Sequence, residues 1–314
     1  GLGEEYTNIR FGLFMAESLK AADGTELPKD GLLESVGIDE NGMAVFSADI
    51  PVNSKLYVKE IATDAQYLLS DLAYPVEFRY GGQELAMVQL VVNNGEIIGN
   101  TIIRGRLEGL KKDSDGALVS GTVFGLFKPD EIEFTLDNAL VTVESGEDGR
   151  FVIEDIPYGQ WKLKELSCPA YLVPSDEVYD VTVTEQDQII SITVENKFVT
   201  GSACVTKVNA KNTDEKLSGC EFEVYRDIND NGVFDADIDT LCGRMTETEK
   251  GVYELNGLRY GGYFLLEVKA ADGFIRDETY YNFRIEKDGA SVEIENKEGV
   301  GFVNEPVPKV PGSP

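Results

Sequence analysis

The sequence predicts an all-β chain of small sandwiches set end to end, and three observations predict it. Short stretches of alternating apolar and polar residues are separated by Gly, Asn and Asp turns throughout the 314 residues. No stretch carries the long 3.6-residue apolar period of an amphipathic helix. One order of landmarks also occurs three times along the chain, which makes internal repetition the organising feature.

Each copy opens on an aromatic-rich strand: Phe11-Gly-Leu-Phe14, Phe124-Gly-Leu-Phe127 and Phe222-Glu-Val-Tyr225. A glycine turn and an alternating strand follow, at Asn41-Gly42-Met-Ala-Val-Phe46, Asp148-Gly149-Arg-Phe-Val-Ile153 and Lys250-Gly251-Val-Tyr-Glu-Leu255. A second turn leads into a strand ending in glutamate. These run from Ile50-Pro51 to Lys59-Glu60, from Ile156-Pro157 through Trp161 to Glu165, and from Leu258 through Tyr260 and Tyr263 to Glu267. The glycine-to-glutamate spacings are 18 (42 to 60), 16 (149 to 165) and 16 (251 to 267) residues. Asparagines mark the seams: Asn100 precedes Gly105 and Lys111 by 5 and 11 residues, and Asn196 precedes Gly201 and Lys207 by the same offsets. The expected domains are therefore residues 1–104, 105–200 and 201–308, followed by a Pro-rich tail at 309–314 that reads as an extended spacer.

Charge and composition exclude several functions. Lys plus Arg number 28 against 57 Asp plus Glu, a formal charge of −29, so nucleic acid and anionic membrane surfaces are disfavoured as partners. Histidine is absent, which removes histidine-based triads, imidazole metal sites and the usual near-neutral pH switch. Nothing approaches the apolar run of about 18 residues that a membrane span needs. The start, Gly-Leu-Gly-Glu-Glu-Tyr6, shows no signal peptide, so an exported protein would be present here in processed or excised form. Cys168, Cys204, Cys220 and Cys242 fit neither a disulfide-dense scaffold nor a CxxC metal site. Cys220, alternating with Phe222 and Val224, reads as a buried free thiol, while Cys204–Cys242 and Cys204–Cys220 pairings stay open.

The combined landmarks resemble the CnaB-like family, that is, the B-type repeats of Gram-positive surface adhesins and the SpaA-type domains of sortase-assembled pilins. In the third copy the resemblance rests on Thr206-Lys207-Val-Asn209, Gly219-Cys220-Glu-Phe222-Glu-Val-Tyr225, Tyr260-Gly-Gly-Tyr263-Phe-Leu-Leu-Glu267 and Asn304-Glu-Pro306. The second copy matches nearly as well. The first is divergent and lacks the opening strand, because the lysine expected about thirteen residues before Phe11 would precede residue 1. The resemblance implies immunoglobulin-like (CnaB-type) β-sandwiches. It further implies an internal amide between a first-strand Lys and a last-strand Asn, assisted by a buried acid.

The residue types suit that chemistry. An apolar surrounding pushes lysine toward the neutral, nucleophilic amine. A glutamate in the same core is expected to stay protonated and to polarise the Asn carboxamide. The fold then makes the amidation effectively unimolecular, with no cofactor needed. The resemblance assigns the crosslinks to Lys111 with Asn196 and Lys207 with Asn304, with Glu165 and Glu267 as the catalytic acids. Lys112 beside Lys111, and Asn296 before Asn304, remain alternatives, although the repeated offset favours Lys111 and the doubled ending Asn93-Asn94 then Asn100 favours Asn304. The first copy keeps Glu60 and Asn100 without a visible partner lysine. The competing reading of any one of these residues is an ordinary surface side chain.

One acidic stretch, Asp227-Ile-Asn229-Asp-Asn231-Gly232-Val-Phe-Asp235-Ala-Asp237-Ile-Asp239, spaces oxygens around a glycine turn as a calcium loop does. Its candidate ligands are Asp227, Asn229, Asn231, Asp235 and Asp239, and an acidic hairpin insertion is the equal alternative. It departs from an EF-hand in having Ile238 at the twelfth position. Trp161 and Tyr263 occupy equivalent repeat positions and read as core.

The expectation is therefore a structural stalk region of a secreted, cell wall-attached adhesin or pilin, touching neighbouring domains of the same surface protein. Its chemistry would be self-directed and single-turnover, so the chain is not an enzyme. No LPxTG-like sorting signal is present in the tail. One alternative is a ligand-binding adhesin module for a host surface protein or glycan. The divergent first copy, with Tyr74, Phe78 and Tyr80, is its candidate. Another is an accessory sandwich of a secreted polysaccharide-degrading enzyme, although no paired-carboxylate site is visible.

Overall fold

The computed structural model describes residues 4–20, 23–50, 54–77 and 91–308. Pro51, Phe78, Tyr80 and the tail from 309 lie outside the described residues. The chain is almost entirely β, and helix among the described residues is confined to the short 3-10 turns Glu4–Asn8 and Asn93–Gly95. The chain divides into two compact units, one of residues 1–108, 152–162 and 180–191, the other of residues 109–151, 163–179 and 192–314.

In the first unit, a four-stranded antiparallel sheet orders Leu32–Gly37, Arg10–Met15, Lys55–Ala62 and Ala73–Glu77. Pleating sends alternate residues to one face, so Phe11, Leu13, Met15, Leu56, Val58 and Val76 form the core. Burying each such side chain stabilises the fold by about 1.5–3 kcal/mol. The Phe-Gly-Leu-Phe motif has a steric cause. A Cβ on Gly12 would sit 2.6 Å from the Phe14 ring, and one on Gly125 would sit 2.7 Å from the Phe127 ring. Glycine thus lets the following ring fold over the strand.

The first copy departs from the repeat just after the glycine turn. Gly42 adopts φ +77°, matching +69° at Gly149 and +68° at Gly251, so the turn itself is kept in all three copies. The strands Arg150–Pro157 and Val252–Arg259 follow the second and third turns. Residues 43–50 form no strand, although Ala44, Phe46, Ala48 and Ile50 still pack on the core.

The second copy contributes two sheets, and the boundary between the units crosses several of their strands. One orders Val141–Glu144, Val123–Phe127, Gly159–Ser167 and Val178–Val183; the other places Arg104–Asp113 between Arg150–Pro157 and Gln188–Asn196. The third copy lies wholly in the second unit and has the same plan. One sheet runs Thr240–Arg244, Glu221–Arg226, Gly261–Lys269, Tyr281–Ile285. In the other, Thr200–Asn209 pairs antiparallel with Val252–Arg259 and parallel with Ser291–Glu293 and Phe302–Asn304. Ala203, Val205 and Tyr253 from this sheet meet Phe222, Val224, Leu265 and Ile285 from the other in one core. That interdigitation is what makes the pair of sheets a sandwich.

Candidate crosslinking centres

The two lysines sit on the central strands of their sheets and point into the cores. In Arg104–Asp113 burial alternates strictly, so that Gly105, Leu107, Gly109, Lys111 and Asp113 face in while Lys112 faces the other way. Alternation therefore selects Lys111 over Lys112 as the inward amine. Lys207 is likewise fully buried on Thr200–Asn209.

A buried glutamate holds each amine and an asparagine together. Lys111 Nζ lies 3.8 Å from Glu165 Oε2, and Asn196 Nδ2 donates to Glu165 Oε1 at 2.7 Å. Lys207 Nζ lies 3.1 Å from Glu267 Oε1, and Asn304 Nδ2 donates to Glu267 Oε2 at 2.8 Å. Asn304 Nδ2 also donates to the Ile275 carbonyl. Phe302 covers Lys207 at 4.3 Å from its ring centroid, and Phe222 at 5.8 Å, which keeps water from the amine. Burial holds the pKa of both lysines below the ordinary lysine value, with the neighbouring glutamate opposing that shift in each case.

The polar satisfaction of these centres is incomplete. Glu165 Oε2, Asn196 Oδ1, Lys207 Nζ, Glu267 Oε1 and Asn304 Oδ1 are buried without a hydrogen-bond partner. The Lys207–Glu267 contact is close, but it is not aligned as a hydrogen bond. Unsatisfied buried groups of this kind cost about 1–3 kcal/mol each, and five of the seven found among the described residues fall at these two equivalent places.

Asn296 has a different role. Its amide donates to Asp277 and to the Val303 carbonyl, and its carbonyl accepts the Val303 N–H at 2.6 Å. It pins the segment that carries Asn304, and Asn304 is the residue on Glu267.

A third contact recurs that the sequence did not signal. The backbone N–H ten residues after each glutamate donates to its carboxylate: Ser70 to Glu60 at 3.0 Å, Ser175 to Glu165 at 3.1 Å and Asp277 to Glu267 at 2.8 Å. Main-chain donors leave no side-chain signature, and only the constant offset could have revealed them. Cys168 lies beside Glu165 and Asn196. Burial first, then the Glu165 charge, push its thiol up to about 11.

In the acidic loop, Asp227 accepts the N–H groups of Asn231 and Gly232, and Asp239 accepts those of Ile228 and Asp235. Asn231 Oδ1 accepts from Val233, and Asp235 Oδ1 accepts from Asp237. These bonds fold the loop onto itself. Among the described residues no three Asp, Glu or Cys side chains converge as a metal-binding group. Trp161 and Tyr263 make the same bond, each donating to the carbonyl four residues back, Pro157 and Arg259. That bond accounts for their equivalent positions.

All four cysteines are free, with Cys220 buried and Cys242 exposed. Maleimide added to the native chain near neutral pH is expected to label Cys242 first and Cys220 only after unfolding. Peptide mapping of the labelled thiols checks this, and early labelling of Cys220 would contradict its burial.

Tandem β-sandwich repeats, two of which bury a Lys–Glu–Asn set, define the class of this protein. The chain belongs to the SpaA family of prealbumin-like fold domains, whose model matches residues 105–198 and 201–298. Among solved structures it is similar to the Bacillus anthracis TIE protein, with 21% identity and a TM-score of 0.62 over 96% of this chain and 47% of that one. The chain thus spans about half the length of that structure. It is also similar to a streptococcal ancillary pilin, with 18% identity and a TM-score of 0.30 over 98% of this chain and 95% of that one. A third similarity is to BcpA, the major pilin subunit of Bacillus cereus, with 12% identity and a TM-score of 0.26 over 65% and 99%. No curated protein matches it in sequence. Among the described residues no helix is long and apolar enough to cross a membrane.

Proposed function

We propose that the chain is a load-bearing stalk region of a Gram-positive surface adhesin or pilin, exported and attached to the cell wall. Amide bonds from Lys111 to Asn196 and from Lys207 to Asn304 stiffen it, within domains of residues 105–200 and 201–308. The observation that carries this reading is the fully buried lysine sharing one buried glutamate with an asparagine, found twice at the same place in the fold.

In each centre the neutral amine attacks the asparagine Cγ. The new C–N bond forms as the bond from Cγ to Nδ2 breaks, and Nδ2 leaves as ammonia. The glutamate is placed to take the proton that the amine loses and to pass it to the departing nitrogen. Burial disfavours the charged ammonium, which favours the neutral, attacking amine at Lys111 and Lys207. Holding both partners on one carboxylate supplies the proximity that lets a slow amidation proceed.

Intact mass tests the proposal. The unmodified chain is expected to weigh two ammonias less than its sequence, and Glu165→Ala and Glu267→Ala each to regain one. A mass equal to that of the sequence would remove the crosslinks and leave only the fold.

A further inference from the structure

Two departures from the repeat meet on the third copy and share a direction. Asn256 stands where the second copy has Glu154, and Arg259 stands where it has Pro157. An acid is lost and a cation is gained, in a chain of formal charge −29. Both residues line a cleft of about 590 Å³, together with Arg226, Tyr171, Phe198 and Tyr260. Small-molecule sites usually enclose about 300–1,000 Å³. The whole cleft belongs to the second compact unit.

Arg226 is held in the cleft with its charge unpaired. Its Nη2 donates to the Tyr260 carbonyl at 2.8 Å and its Nη1 to the Arg259 carbonyl at 3.3 Å. The guanidinium carbon lies 4.8 Å from the centroid of the Tyr263 ring. Gly261, at φ +129°, makes the room, because a Cβ there would sit 2.2 Å from Nη2. Among the described residues no carboxylate oxygen lies within 4.0 Å of the Arg226 side-chain nitrogens. The two bonds to carbonyls leave further guanidinium N–H donors free. Arg259 differs, since Asp115 Oδ2 offsets its charge at 2.8 Å while it lies 3.9 Å over the Phe198 ring. Asn256 is exposed, and its amide makes no hydrogen bond among the described residues. Tyr171 stacks beside Phe198 and is 38% exposed.

We propose that this cleft binds a carboxylate-bearing sugar ring, with the carboxylate on Arg226, a hydroxyl on Asn256 and the C–H face against Tyr171. One unpaired guanidinium matches a single negative charge, and the acidic chain around it repels anything more highly charged. A carboxamide both donates to and accepts from hydroxyl groups. Sugar C–H hydrogens are slightly positive and lie well against the negative face of an aromatic ring. The cleft uses none of the residues of the two crosslinking centres, so it adds recognition to a stalk without depending on the crosslinks. It also places recognition on the third copy rather than on the divergent first.

The test titrates the full chain with D-glucuronic acid, glucose and acetate, reading binding by saturation-transfer NMR. Glucuronic acid should bind, and glucose and acetate should each bind roughly tenfold or more weakly. Added salt should weaken the binding, because the guanidinium is open to solvent. Arg226→Gln should raise Kd roughly tenfold or more. Asn256→Ala, at an exposed position with little bearing on the fold, should raise it severalfold. An unchanged Tm shows that each variant is folded. Bound sugar should also slow maleimide labelling of Cys242, which lines the same cleft. N-Acetylneuraminic acid supplies a second arm. Tighter binding of that acid points to sialylated glycans, tighter binding of glucuronic acid points to uronic-acid polymers, and either result supports the site. The proposal is overturned if neither acid binds, or if glucose or acetate binds as tightly as they do. Undiminished affinity in both folded variants overturns it as well.

Discussion

Stretched from its ends in a single-molecule experiment, the chain is expected to lengthen only through its first copy. Force entering the second copy reaches Lys111 and, with the amide formed, crosses directly to Asn196 through covalent bonds. It then passes to Lys207 and crosses again to Asn304. The strands between each pair carry no load, so their sheets need not shear. In this chain the lysines of the first copy, Lys20, Lys29, Lys55 and Lys59, all lie outside its core, so no such bypass is expected there. Asn196→Ala removes the acceptor while leaving the Lys111–Glu165 pair in place. This variant should show a new unfolding step that releases the 85 residues from 111 to 196. At about 3.4 Å per extended residue that is roughly 300 Å of added length. A second step of that size in the unmodified chain, besides the one from the first copy, would show that the bond is not there.

The parts of this protein that could be read in advance are those fixed by side-chain type and spacing. Lys111, Glu165 and Asn196 fall at the same relative places as Lys207, Glu267 and Asn304, and strand alternation already separates Lys111 from Lys112. The Phe-Gly-Leu-Phe strands and the glycine turns were legible for a similar reason: each glycine answers a local steric demand that shows as a repeated letter. What could not be read depends on the backbone or on a distant partner. The N–H groups of Ser70, Ser175 and Asp277 act through atoms common to every residue. Asn296 looked like a second acceptor until its bonds to Asp277 and Val303 were seen, because its role is set by a loop closing in space. Residues 43–50 alternate as well as any strand in the chain, yet they form none. A strand needs a hydrogen-bonding neighbour, and alternation reports only which face would be buried.

Removing the acceptor in the third copy is expected to cost the most stability. Lys207 and Asn304 are 97 residues apart, and closing a loop of that size stabilises a fold by about 4–5 kcal/mol in the chain-entropy model. For a domain of about a hundred residues the loss corresponds to roughly 20–35 °C in Tm. The Asn304→Ala variant should also gain a pH dependence that the crosslinked chain lacks. Its Lys207 amine titrates again, and burial holds the folded pKa below the unfolded value. Between those two values the unfolded chain binds the extra proton, so stability rises with pH across that window. It levels off above the unfolded lysine value of about 10.4. In the crosslinked chain the same nitrogen is an amide and does not titrate. Denaturant unfolding of both proteins over an alkaline pH series checks this. The same alkaline slope in the two would mean that Lys207 is still a free amine in the unmodified chain.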